Sequence, residues 1–151
     1  VTLLHLDGRQ TPQRKTVVCI GFFDGVHLGH VRLIETAQRI ARQSGLQVCV
    51  HTFHTLPSNV LRPGDSVPEI TLLDEKVTLF GLLGVDLVAV SRFDLTMARM
   101  SAADFFRRVI IDQLLAEHVV AGFHHRFGFR SEADTEILAR LCAANGVNLS
   151  V

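Results

Sequence analysis

The chain has 151 residues and a mass of 16.7 kDa, with 48% hydrophobic and 20% charged residues, which is one domain's worth of chain with apolar material for a real core and excludes disorder. Fifteen basic residues balance fifteen acidic ones, so no overall basic field recruits nucleic acid or an anionic membrane. No apolar run approaches the ~18 residues of a membrane span.

Val17, Val18, Cys19 and Ile20 form a continuous apolar run, as in a strand buried on both faces, and Gly21 ends it. From Leu28 the apolar residues Val31, Ile34, Ala37 and Ala41 recur at helical spacing until Ser44 and Gly45 stop the pattern. Val48, Cys49 and Val50 begin a second strand that runs to about Phe53. Residues 54–69 contain Pro57, Pro63, Gly64 and Pro68 and predict a long loop. Asp74 is expected to cap a helix that ends before Gly84, and residues 86–90 form a third strand. Ser101, with Asp104 three residues on, opens a helix over 101–115. Residues 118–121 make the fourth strand, 131–144 a helix, and Val147 starts a fifth strand.

This alternation predicts an α/β fold: a Rossmann-like parallel sheet of about five strands with helices on both faces. In such sheets the ligand lies outside the carboxyl ends of the strands, at the point where strand order reverses. The loops after Ile20, Phe53, Val90 and Ala121 are therefore expected at one edge. Cys19, Cys49 and Cys142 are an odd set without a CxxC, which fits reduced thiols and a cytoplasmic setting. No signal-peptide pattern opens the chain. Beginning at Val1 and stopping within the apolar residues 147–151, the chain reads as cut at both ends.

The first loop carries the chemistry. Gly21, Phe22, Phe23, Asp24, Gly25, Val26, His27, Leu28, Gly29 and His30 join a buried strand to a helix start. Glycines allow a ligand to approach the backbone, and the first helical turn offers unpaired N–H groups to an anion. His27 and His30, on one turn, can address a single phosphate.

This loop, GFFDGVHLGH, resembles the His-x-Gly-His signature of the α/β nucleotidylyltransferases. In its longer form it is similar to the adenylyltransferase (FAD synthetase) domain of prokaryotic bifunctional riboflavin kinase/FMN adenylyltransferases. Other segments continue the likeness in order: His51-Thr52-Phe53 with the Pro57 loop and Leu61-Arg62-Pro63, residues 72–86, Phe93-Asp94 with residues 100–105, and residues 121–130 with their Phe-Gly pair. The resemblance implies a nucleotidylyltransferase-type fold and transfer of AMP from ATP to FMN, giving FAD and pyrophosphate, with Mg²⁺. It places His27 and His30 on the ATP phosphates as catalytic residues. Gly21, Phe22, Phe23, Asp24 and Gly29 would line the nucleotide cleft, with His124, Arg126 and Arg130 from the later loop. Phe53 and Pro57 would lie near the flavin. Asp24 fits a turn as well as a metal-orienting role, Phe53 fits ordinary core, and Arg126 and Arg130 fit solvated surface.

The chain departs from the family pattern in two places. His124 stands where the family has Asp or Asn, and Ser131, Glu132 and Ala133 stand where it tends to glycine. The resemblance also implies a Ser/Thr-x-x-Arg segment after the fifth strand and a following riboflavin kinase domain. Residues 1–151 contain neither, so the chain is expected to be an adenylyltransferase-like domain trimmed before that segment. Alternatives are a catalytically impaired nucleotide- or flavin-binding module, and a sibling nucleotidylyltransferase with another phosphate substrate. Small-molecule nucleotides are the expected partners, with no dedicated protein metal site, nucleic acid or membrane.

Overall fold

The computed structural model describes residues 1–54, 64, 72–123, 125, 128 and 133–151. Six strands, all paired in parallel, form one sheet: β1 (Thr2–His5), β2 (Thr16–Ile20), β3 (Gln47–Phe53), β4 (Leu87–Ser91), β5 (Ala116–Ala121) and β6 (Asn148–Ser150), in the order β1-β4-β3-β2-β5-β6. The helices are α1 (Leu28–Ser44), α2 (Leu73–Leu82), the short α3 (Leu95–Arg99), α4 (Ala102–Phe105) and α5 (Thr135–Ala144). A π-helical stretch, Phe106–Gln113, continues directly from α4.

Strand alternation sorts the core into two halves. Val17, Cys19, Val48, Val50, Val88 and Val90 point to one face, where they meet Ile34, Ala37 and Ala41 of α1 and Phe80 of α2. Val18, Ile20, Cys49, Ala89, Val119 and Ala121 point to the other. There they meet Phe105, Phe106, Val109 and Ile110 after β4, and Leu138 and Cys142 of α5. The chain thus winds to one side of β2 through α1 and α2, and to the other side of β2 through α4 and α5. This is the doubly wound arrangement expected from near-continuous apolar strands. The reversal falls between β2 and β5.

The structure adds to the expected elements. β1 is a sixth strand, laid on the outer edge of β4 with Thr2 opposite Leu87 and His5 opposite Val90. It anchors the sheet through buried Leu4, followed by buried Leu6. Asp74 lies inside α2, whose first turn is closed by Glu75, its carboxylate accepting the Leu72 N–H at 3.2 Å. The helix expected from 131 starts at Thr135, because the Asp134 carboxylate caps the N–H groups of Glu136 and Ile137, both at 3.1 Å. The helix expected over 101–115 does begin where Ser101 Oγ accepts the Asp104 N–H at 3.1 Å. It widens beyond Phe105, so that Leu114 bonds back to the Val109 carbonyl and enters the core. α3, capped by Asp94 at the Met97 N–H (2.8 Å), had no sequence expectation. Most of the expected 54–69 loop lies outside the described residues.

The three thiols are buried and unpaired, on opposite faces of the sheet for Cys19 and Cys49. Burial pushes the Cys19 thiol up to about 12 and that of Cys142 up to about 11, so they pack as small apolar groups.

Candidate active site

At the carboxyl end of β2 the chain turns sharply before α1. Phe23 (φ 60°), Gly25 (φ 76°) and Val26 (φ 40°) all take left-handed backbone. For a phenylalanine and a β-branched valine this conformation is strained, at about 1–3 kcal/mol each, and it concentrates at functional turns. What holds it is packing. The Phe23 ring is buried, edge-on to Phe80 of α2 (centroids 5.5 Å) and to the His30 imidazole (4.9 Å). The Phe22 carbonyl accepts hydrogen bonds from Thr52 Oγ1 at 2.7 Å and from Lys76 Nζ at 3.0 Å.

α1 then starts with an unusual cap. His27 is the capping residue, and its Nδ1 accepts the Gly29 N–H at 3.1 Å. The His27 N–H in turn donates to His30 Nδ1 at 3.3 Å. The two rings stack with centroids 3.6 Å apart and planes 22° apart. With each Nδ1 engaged as an acceptor, the neutral tautomer carries its proton on Nε2. The pair therefore offers two imidazole N–H donors beside the open first turn of a helix, which is itself an anion site. Burial, then the neighbouring His27, then Lys76 hold the His30 imidazole down to about 4, against an opposing pull from Asp24. His30 is thus a neutral donor at physiological pH. Gly29 lies close against the cap: a Cβ there would sit 3.0 Å from His27 Cε1 and 3.1 Å from its Nδ1, so the His27 ring would have to give by a few tenths of an ångström.

These residues open onto a cleft of about 650 Å³ at the β2/β5 reversal point. Gly21, Phe22, Phe23, Asp24, His27, Gly29 and His30 line one side, and Gly122, Phe123 and His125 line the other. Phe123 and Leu28 stand exposed. Seven expected site residues are therefore brought together. Phe53 is not part of this lining: it ends β3 with its ring edge-on to His51 (5.1 Å) and Phe93 (5.5 Å), against the core. Pro57, His124, Arg126 and Arg130 lie outside the described residues.

Several neighbours belong to segments matched in the sequence, but no role is assigned to them there. His51 is buried, with Nε2 2.8 Å from Ser91 Oγ, and burial followed by His125 drives its pKa down to about 3. His125 is held to about 4 by burial. Lys76 is 1% exposed. Its position was signalled in the sequence, because it falls on the apolar stripe of Leu73, Val77 and Phe80.

A Rossmann-like α/β fold with an anion-ready helix start at its reversal point is the class that fold and site define. Residues 9–151 match the FAD synthetase family, and the chain belongs to it. The bifunctional riboflavin kinase/FMN adenylyltransferase of Bacillus subtilis is 41% identical over 117 residues, covering 77% of this chain and 37% of that protein. The protein of the same name in Listeria monocytogenes is 41% identical over 125 residues (82% and 40%), and that of Escherichia coli 31% over 141 (93% and 45%). The chain spans less than half the length of these relatives. A solved structure described as a macrolide-efflux protein from Streptococcus pneumoniae has the same fold, with a TM-score of 0.84 and 25% identity, over 99% of this chain and 50% of that one. Among the described residues of this chain, no helix is long and apolar enough to cross a membrane.

Proposed function

We propose that this chain carries FMN adenylyltransferase chemistry: the 5′-phosphate of FMN attacks the α-phosphorus of ATP in line. The new P–O bond joins AMP to FMN as FAD, and the bond to the β-phosphate breaks, with pyrophosphate taking the electron pair. No covalent bond to the protein is needed, so the work is positioning and charge stabilisation. The observation that carries this reading is the reciprocal His27/His30 cap, which sets two imidazoles and a helix start on the lining of one cleft. It agrees with the adenylyltransferase half of the relatives' name.

In this reading His27 and His30 hold the phosphates and stabilise charge at the α-phosphorus. Gly21, Phe22, Phe23 and Gly29 shape the cleft, while His124, Arg126 and Arg130 would contact the nucleotide, and Phe53 and Pro57 would serve the flavin side. Mg²⁺ neutralises the leaving pyrophosphate when bound. Among the described residues no group of three His, Cys, Asp or Glu is disposed to hold a metal alone. When bound, the ion would be borne largely by phosphate oxygens and water, beside the lining carboxylate Asp24. Three free, buried thiols support a cytoplasmic setting.

The test is FAD formation by the full-length protein from FMN, ATP and Mg²⁺, followed by chromatography. His30→Ala is expected to lower kcat by about 10²–10³-fold, as loss of one aimed donor does. A wild-type protein that converts no FMN overturns the reading.

A further inference from the structure

We propose that Lys76 is a positioning residue of the nucleotide site: from α2 it holds the Phe22 carbonyl and ring, and so fixes the loop that carries His27 and His30. The side chain is 1% exposed. Burying a lysine is costly, and a methionine would fill the same stem volume on the apolar stripe of α2. The ammonium is used locally. Nζ donates to the Phe22 carbonyl at 3.0 Å and lies 3.5 Å from the centroid of the Phe22 ring, a cation–π contact.

The same carbonyl receives the Thr52 hydroxyl of β3 at 2.7 Å. Two donors from two elements thus converge on one acceptor, immediately before the backbone turns left-handed at Phe23, Gly25 and Val26. Strained backbone of this kind persists only where its surroundings over-determine it. α2 supplies that restraint at two consecutive residues: Lys76 on Phe22, and the Phe80 ring on Phe23. Phe23 in turn packs on the His30 ring. Lys76 does not line the cleft, so it acts through the loop and not as a ligand.

The inference deepens the proposed reaction and rests on it only for the kinetic arm of its test. Full-length Lys76→Met is compared with wild type by FAD formation and by imidazole ¹⁵N spectra at one fixed pH. The expected result is a kcat lowered about 10- to 100-fold with the KM for ATP changed far less, as for a misplaced catalytic pair. The His30 Nδ1 signal is expected to leave its hydrogen-bonded position. A folded Lys76→Met with wild-type kcat and unmoved histidine signals overturns the proposal. Should Lys76→Met fail to fold, Thr52→Val removes the other donor to the same carbonyl and is expected to shift the same signals and lower kcat; unchanged behaviour there overturns the clamp. Loss of FAD formation in the wild type, with the histidine signals still displaced by Lys76→Met, would sink the reaction and support the positioning role.

Discussion

Gly29 separates the demands of the helix from those of the site. An alanine suits a helix better than glycine by up to about 1 kcal/mol, so the helix alone favours Gly29→Ala. The site opposes it, because the new methyl would press on the His27 ring at 3.0 Å and displace it by a few tenths of an ångström within the reciprocal cap. We expect Gly29→Ala to leave the thermal midpoint within a few degrees of wild type while weakening ATP binding by about tenfold or more, read by calorimetry. The place of the glycine and both histidines at a strand-to-helix turn was legible in the sequence, because the apolar run before Gly21 and the helical spacing from Leu28 fix that turn. Lys76 was harder to read. A lone lysine in a helix is normally surface; its place on the apolar stripe of α2 is the one signal, and Phe22, which it bonds, is distant in sequence. His51 was legible as a residue of the matched His51-Thr52-Phe53 segment, but its bond to Ser91 was not, because Ser91 stands on the neighbouring strand.

The caps show which elements the sequence specifies locally. Ser101 and Gly45 did their expected work, because a hydroxyl at a helix start and a left-handed glycine at its end act within one turn. The start of α5 was misplaced because two polar residues preceded the true cap. Asp134 accepts two backbone N–H groups there, so Asp134→Ala should cost about 1 kcal/mol of stability in urea unfolding, whereas a substitution at exposed Glu136 should cost far less. β1 escaped because four residues with one fully buried side chain carry little pattern of their own. It exists because β4 presents an open edge.

At the scale of the whole molecule, the doubly wound sheet was legible because β2, β3 and β4 are apolar on both faces, as parallel strands covered by helices on both sides are. The same closure traps imidazoles in neutral form. His30 and His125 are held to about 4 and His51 to about 3, from an ordinary 6.5, chiefly by burial. The unfolded chain takes these protons near 6.5, so below that pH it binds more protons than the fold does. Stability is therefore full above about pH 6.5 and falls as the pH drops toward 4. Urea midpoints measured between about pH 7 and pH 4.5 should decline, and His51→Gln should be less stable at neutral pH yet show a shallower decline. A midpoint independent of pH across that range would contradict the buried-imidazole account.

The stacked His27/His30 pair frees nucleotide binding from the solvent's proton reservoir. Each Nδ1 accepts a backbone N–H, so a proton could be added to either ring only by breaking the reciprocal cap, and a phosphate meets N–H donors already in place. The calorimetric heat of ATP binding, at a pH where the nucleotide itself is fully ionised, should accordingly be independent of the ionisation enthalpy of the buffer. A heat that tracks the buffer would mean that the cap opens when nucleotide binds.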